Sequence, residues 1–227
     1  MSSDFDAGAR VRRYGTWAIA GIILYVILDI VAQVLPPHYS PIRQAESDLA
    51  VGPYGFIMRL NFLVRAALSL LVVSALATAL RPARARWGLV LCSIWGVTSG
   101  LLALFNTDIL DDPRLDPVLH HTAHGELHLV LALIGFIAAP LGAILIARTF
   151  SRAAEFRAAG RTSMVWALVS LAALLATRPL ATHHAGGLGE RIFLAAVLIW
   201  TGHAAMSLRR AASRRARGDE RVDALNT

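Results

Sequence analysis

The sequence predicts an all-α integral membrane protein, a bundle of six transmembrane helices with both termini cytoplasmic. Three observations carry that expectation. Six apolar stretches fill most of the chain, at residues 17–35, 56–80, 87–105, 121–147, 164–176 and 192–208. Crossing a hydrocarbon core of about 30 Å takes about 20 apolar residues of helix, and most of the stretches reach that length. Hydrophobic residues make up 56% of the chain and the mean hydropathy is +0.56, a balance outside the usual soluble range. The charge is also sorted by side. All 22 basic residues are arginines, and sixteen of them fall before the first stretch, between the second and third, between the fourth and fifth, and after the sixth. Short basic loops mark the cytoplasmic side, and six crossings return the chain to it.

The elements follow in order. Arg10, Arg12 and Arg13 precede the first stretch, which carries Asp29. That start resembles a signal peptide, but the run is too long, and Pro36-Pro37 follows it with no small-x-small cleavage site. The first outer loop spans residues 38–55, and Ser47 or Asp48 in it is expected to cap the second helix or a short helix before it. In the second stretch Asn61 and Arg65 are four apart and share one side, while Arg59 points away and snorkels. The third stretch holds Cys92, the single cysteine, expected as a small core residue. Beyond its end lie Asn106 and Asp108.

The fourth stretch opens with a run of histidines. His121, His124 and His128 form one helical stripe, continued by Gly125, Ala132, Gly135, Ala139 and Gly142. Small residues permit close helix contact, so this stripe is expected to face the bundle interior. The fifth stretch is short unless it extends through residues 177–180. Gly186, Gly187 and Gly189 are expected to loosen the third outer loop, residues 181–189, before Glu190 and Arg191 open the sixth helix. A cytoplasmic segment at 1–16 and a basic cytoplasmic tail at 209–227 flank one domain at 17–208. The tail is expected to be disordered or to lie on anionic lipid.

Charged groups inside a bilayer are costly and mark function by default. A rise of about 1.5 Å per residue puts Asp29, Arg65 and His128 about 10, 15 and 12 Å below the outer ends of their helices. The picture is a polar cup open to the outside, built from Asp29, Asn61, Arg65, Asp108, Glu126, Glu190 and Arg191. Asp29 is expected to approach Arg65, because either charge alone would be expensive.

Two functions suit such a cup. In the first it binds or moves a lipid head group or small polar solute, with Arg65 and Asn61 on an anionic group and Asp29 as counter-charge. In the second the chain is a membrane-embedded hydrolase acting on lipid at the outer leaflet. A zinc-like ion would then sit on His121, His124 and His128 with Asp108 or His184, and Glu126 or Asp48 would be the base. The run from His124 to His128 is not the zinc-protease motif, because Glu126 lies on the opposite side of the helix from His124. Haem is not expected, since His203 has no histidine partner at its depth. The net charge of +7 is accounted for by the sided arginines, so the expected partner is membrane lipid and not nucleic acid.

Three segments together resemble a known family: Tyr39-Ser40-Pro41-Ile42-Arg43 through Ser47-Asp48-Leu49 and Gly52-Pro53-Tyr54-Gly55; Phe105-Asn106-Thr107-Asp108 with the His-rich start of the fourth helix; and Gly187-Leu188-Gly189-Glu190-Arg191. They are similar to the bacterial six-helix membrane proteins grouped as the "domain of unknown function" family numbered 998. The resemblance implies six helices and a bacterial inner membrane, and it implies no activity.

Overall fold

The computed structural model describes residues 2–80, 82–108 and 122–225. Six long helices account for most of them: α1 (Ser2–Val34), α2 (Gly55–Ala79), α3 (Pro82–Leu101), α4 (Ala123–Arg152), α5 (Arg157–Thr182) and α6 (Gly186–Leu225). Two short 3-10 turns, Glu46–Ala50 and Ala154–Phe156, lie between them, and the described residues contain no strand. Five of the helices, all but α3, are long and apolar enough to cross a membrane. This is a multi-pass membrane protein. In α3 the apolar run is diluted by Arg84 and Arg86 at its start and by Ser93, Thr98 and Ser99 near its end, and the helix stops at Leu101, short of residue 105.

The helices pack in chain order as a ring, α1 on α2 through to α5 on α6, and α1 against α6 closes it. Lipid tails are as apolar as leucine, so close packing and polar contacts must hold such a ring together. On α1 the buried stripe is Val11, Ala18, Tyr25 and Ala32, spaced by seven. Ile23, Ile27 and Ile30 on its other side are exposed, as suits a lipid-facing surface. The small-residue stripe of α4 does face inward. Gly125, Gly135, Ala139 and Gly142 are buried, and a Cβ at Gly142 would come within 2.9 Å of Cys92 Sγ on α3. His128 shares that buried face, whereas His124 is exposed.

The largest apolar cluster, including Leu76, Ile146, Phe150 and Leu208, sits toward the arginine-rich end of the ring. The arginine-poor end is where polar side chains enter the bundle. Helical backbone also runs through both flanking segments, from Ser2 in α1 and to Leu225 in α6. Residues 209–225, expected to be disordered or to lie on anionic lipid, continue α6 as helix.

The connections at the arginine-poor end depart from expectation in two ways. Ser47 and Asp48 cap neither helix by side chain. They lie inside the 3-10 turn, whose N-cap is Ala45, and Tyr54 precedes α2 without a side-chain cap. Nor do the glycines at 186–189 loosen a loop. They form the first turn of α6, and the preceding connection is only residues 183–185. α5 reaches Thr182 through Pro179 and stops in a C-terminal Schellman motif. The Ala185 N–H donates to Leu180 O at 2.9 Å and the His184 N–H to Ala181 O at 3.1 Å. His184 takes the left-handed position of that motif, with φ of 56°, where glycine is the usual residue.

Candidate functional site

The first loop folds over the arginine-poor end and is fastened to α6. The first N–H groups of a helix have no partner within it. Here Gly187 N–H donates to Arg43 O at 3.3 Å and Leu188 N–H to Ile42 O at 3.0 Å, so the loop's carbonyls cap α6. Only glycine fits at 187, because a Cβ there would collide with Gln44 O. One turn on, Arg191 Nη1 donates to Pro41 O at 2.9 Å and Gln44 O at 3.0 Å, and its Nη2 donates to the Tyr39 hydroxyl. Tyr39 in turn donates to Ala45 O at 2.9 Å. Burial raises the Tyr39 pKa above its ordinary value and keeps the phenol a donor.

This fastening drives Glu46 into the bundle. Its residue is 2% exposed. Tyr25 Oη of α1 donates to Glu46 Oε1 at 2.5 Å, and the Glu46 N–H donates to Glu190 Oε2 of α6 at 3.3 Å. Glu46 Oε2 lies 3.8 Å from Arg65 Nη1 of α2. Arg65 is equally buried. It donates through Nε to Ser99 Oγ of α3 at 3.2 Å, and its guanidinium lies 5.0 Å from the Phe62 ring centre and 4.9 Å from that of Trp95. These contacts replace part of the hydration that the cation loses.

The partner of Arg65 is therefore Glu46 and not Asp29. Asp29 is half-buried, accepts a hydrogen bond from Gln33 Nε2 at 2.6 Å, and has Glu46 and Arg191 as charged neighbours. The loop carboxylate of Glu46 reaches the guanidinium instead. Asn61 is fully buried on the same side of α2 as Arg65, and its Oδ1 has no partner.

A cavity of about 320 Å³ opens beside this cluster. Phe62 and Arg65 of α2 lie on one side, His128, Leu129, Ala132 and Phe136 of α4 on another, and Glu190 of α6 on a third. Arg43, Ser47 and Asp48 of the first loop and Thr107 and Asp108 before α4 complete it. His128 Nδ1 is 2.7 Å from Phe105 O. A carbonyl only accepts, so Nδ1 carries the proton and Nε2 is left as an acceptor. Asp108 is fixed by Thr122, accepting from its N–H at 2.9 Å and its hydroxyl at 2.8 Å. Thr122 Oγ1 accepts from Gly125 N–H as the N-cap of α4.

Of the residues expected in the cup, Arg65, Asp108 and Glu190 line the cavity, Asp29, Asn61 and Arg191 stand outside its lining, and Glu126 is exposed on α4. Glu46, Arg43, Tyr25 and Ser99 belong to the site without having been expected there. For Arg43 and Glu46 the sequence signal was the density of polar residues in the first loop; Tyr25 on α1 and Ser99 on α3 carried none. Of the histidines, His121 lies outside the described residues, and exposed His124 packs its ring 5.5 Å from that of Phe105. No group of three His, Cys, Asp or Glu among the described residues is placed to hold a metal ion.

A family model described as "Protein of unknown function (DUF998)" matches residues 19–207. The chain belongs to this family. No curated protein and no solved structure gives a match. The DUF998 match runs from within α1 to within α6, so it takes in the whole ring and every residue of the cavity wall. The far ends of α1 and α6, with their arginines, fall outside it.

Proposed function

We propose that this DUF998 protein receives a lipid head group or small polar solute in the cavity at its arginine-poor end. The observation that carries the reading is a cavity of about 320 Å³ floored by a buried guanidinium, that of Arg65. Ligand cavities begin at about 300 Å³. The wall bears Arg43 and Arg65 against Asp48, Asp108 and Glu190, and Glu46 already neutralises much of Arg65. A purely anionic guest would meet an excess of carboxylates. A zwitterion, with an ammonium beside a phosphate or carboxylate, meets both signs. A metal-dependent lipid hydrolase has less support: the bond from His128 Nδ1 to Phe105 O leaves Nε2 open as a ligand, but the described residues converge on no ligand set.

The same reading makes α3 the sixth crossing, sets both termini in the cytoplasm and places the chain in a bacterial inner membrane, with the cavity facing outward. What supports it is the arginine distribution and the antiparallel packing of α3 between α2 and α4, in which Gly96 and Gly100 meet Leu70 and Ala66 while Gly88 and Cys92 meet Ile146 and Gly142.

Thermal unfolding of the purified protein in a neutral detergent tests the binding. Phosphoethanolamine should raise the midpoint, and phosphoglycerol should raise it less. Ala132→Trp, which fills the cavity from α4, should abolish the response while leaving the unliganded protein folded. A wild-type protein indifferent to both compounds would overturn the proposal.

A further inference from the structure

The opposite end of the ring holds a second recess that the first cavity does not explain. A space of about 600 Å³ opens there, with Arg84, Thr149 and Arg152 on one wall and Glu155, Phe156 and Arg215 on the other. A groove of about 180 Å³ between α3 and α4 shares Arg84, Thr149 and Arg152 with it and adds Arg86, Trp87 and Arg148. The shared residues make the two spaces opposite sides of one wall.

Among the described residues the charge around that wall is uncompensated, and Glu155 is the only acid among them lining either space. Arg215 takes it up through Nε at 2.9 Å and Nη2 at 2.5 Å. Arg84, Arg86, Arg148 and Arg152 form no ion pair with another described residue. Sided arginines are expected at one end of a membrane protein. That rule accounts for their number but not for four of them meeting at one groove with a recess behind it. Thr149 Oγ1, 3.3 Å from Arg84 O, brings α3 and α4 together at this point.

We propose that this groove binds the phosphate of an anionic membrane lipid, with the rest of the head group turned into the recess. Guanidinium forks match phosphate oxygens and tolerate partial desolvation better than ammonium groups do. A soluble phosphate compound would meet the same arginines. The lipid source is favoured by the groove's position on the outside of the ring. Trp87 is 65% exposed there and Val90, further along α3, is exposed as well, and the Arg86 guanidinium lies 5.3 Å from the Trp87 ring centre. An exposed indole beside arginines is the composition of a membrane interface. Basic pockets between helices at that depth are where anionic head groups bind.

The test uses the full chain in neutral detergent, titrated with phosphatidylglycerol, phosphatidylcholine or glycerol phosphate and read by native mass spectrometry and thermal unfolding. Wild-type protein should retain phosphatidylglycerol in preference to phosphatidylcholine. Arg84→Ala with Arg152→Ala should weaken that retention about thirtyfold, at about 1 kcal/mol per interfacial arginine. Both residues are exposed, so the variant should fold, and its unfolding without lipid checks that. Arg157→Ala with Arg161→Ala removes two exposed arginines that line neither space and should change little. Equal losses in the two variants would reduce the effect to general surface charge and overturn the site. Glycerol phosphate displacing the lipid at matched concentration would overturn the lipid assignment.

Discussion

At Glu46 three helices converge on one loop residue: Tyr25 of α1 and Arg65 of α2 meet its carboxylate, and Glu190 of α6 meets its backbone N–H. Each charge in the pair is tolerated because the other is there. Removing one partner of such a buried pair costs about 3–5 kcal/mol, since the survivor keeps its desolvation penalty. Arg65→Gln should therefore lower the stability of the detergent-solubilised protein by about that amount. Glu46→Gln should cost less, because the amide oxygen still accepts from Tyr25. The double variant should be more stable than the two losses summed, and strict additivity in thermal unfolding would refute the coupling. The burial of Arg65 was legible in its sequence, but its partner was not. Helix rise gives the height of a side chain along the bundle axis and says nothing about a loop folding inward. What carries Glu46 in is a set of bonds to Gly187, Leu188 and Arg191, far along the chain, and no local spacing records them.

Single helices show the same division. The extent of α2 and the inward face of α4 follow from apolar length and from glycines and alanines repeating at helical spacing, because those properties belong to the helix itself. The end of α5 was harder to read. Arg178 and Pro179 have the look of a terminus, yet α5 absorbs the lost hydrogen bond and the crowded carbonyl at Pro179, and the helix ends where His184 turns left-handed. A side chain in that conformation costs about 1 kcal/mol relative to glycine, partly offset by the greater freedom of glycine in the unfolded chain. His184→Gly should stabilise the protein by about 0.5 kcal/mol, and His184→Val should destabilise it, as paired melting curves would show. A loss of stability on His184→Gly would mean that the imidazole makes a contribution beyond ending the helix.

The proposed six crossings and their orientation are tested on the whole molecule. With the arginine-rich end in the cytoplasm, cysteine at Val51, in the connection before α2, should react with an impermeant maleimide on intact cells. Cysteine at Ala158, exposed at the start of α5, should react only after lysis. The native Cys92 is buried and should stay silent. The opposite pattern would invert the protein in its membrane and turn the two cavities to the wrong faces. A crossing number of five would put the two sites of reaction on one side.

The fastening of the first loop to α6 also imposes an order in time. The loop leaves the ribosome long before residues 186–191 exist, and at roughly 5–20 residues per second the gap is on the order of ten to thirty seconds. Through that interval the acid at Glu46 has no helix end to hold it in place, and the carbonyls of Ile42 and Arg43 have nothing to cap. The polar chamber is thus finished only once α6 has been made, and a chain cut short of α6 would carry the loop as an unsealed flap.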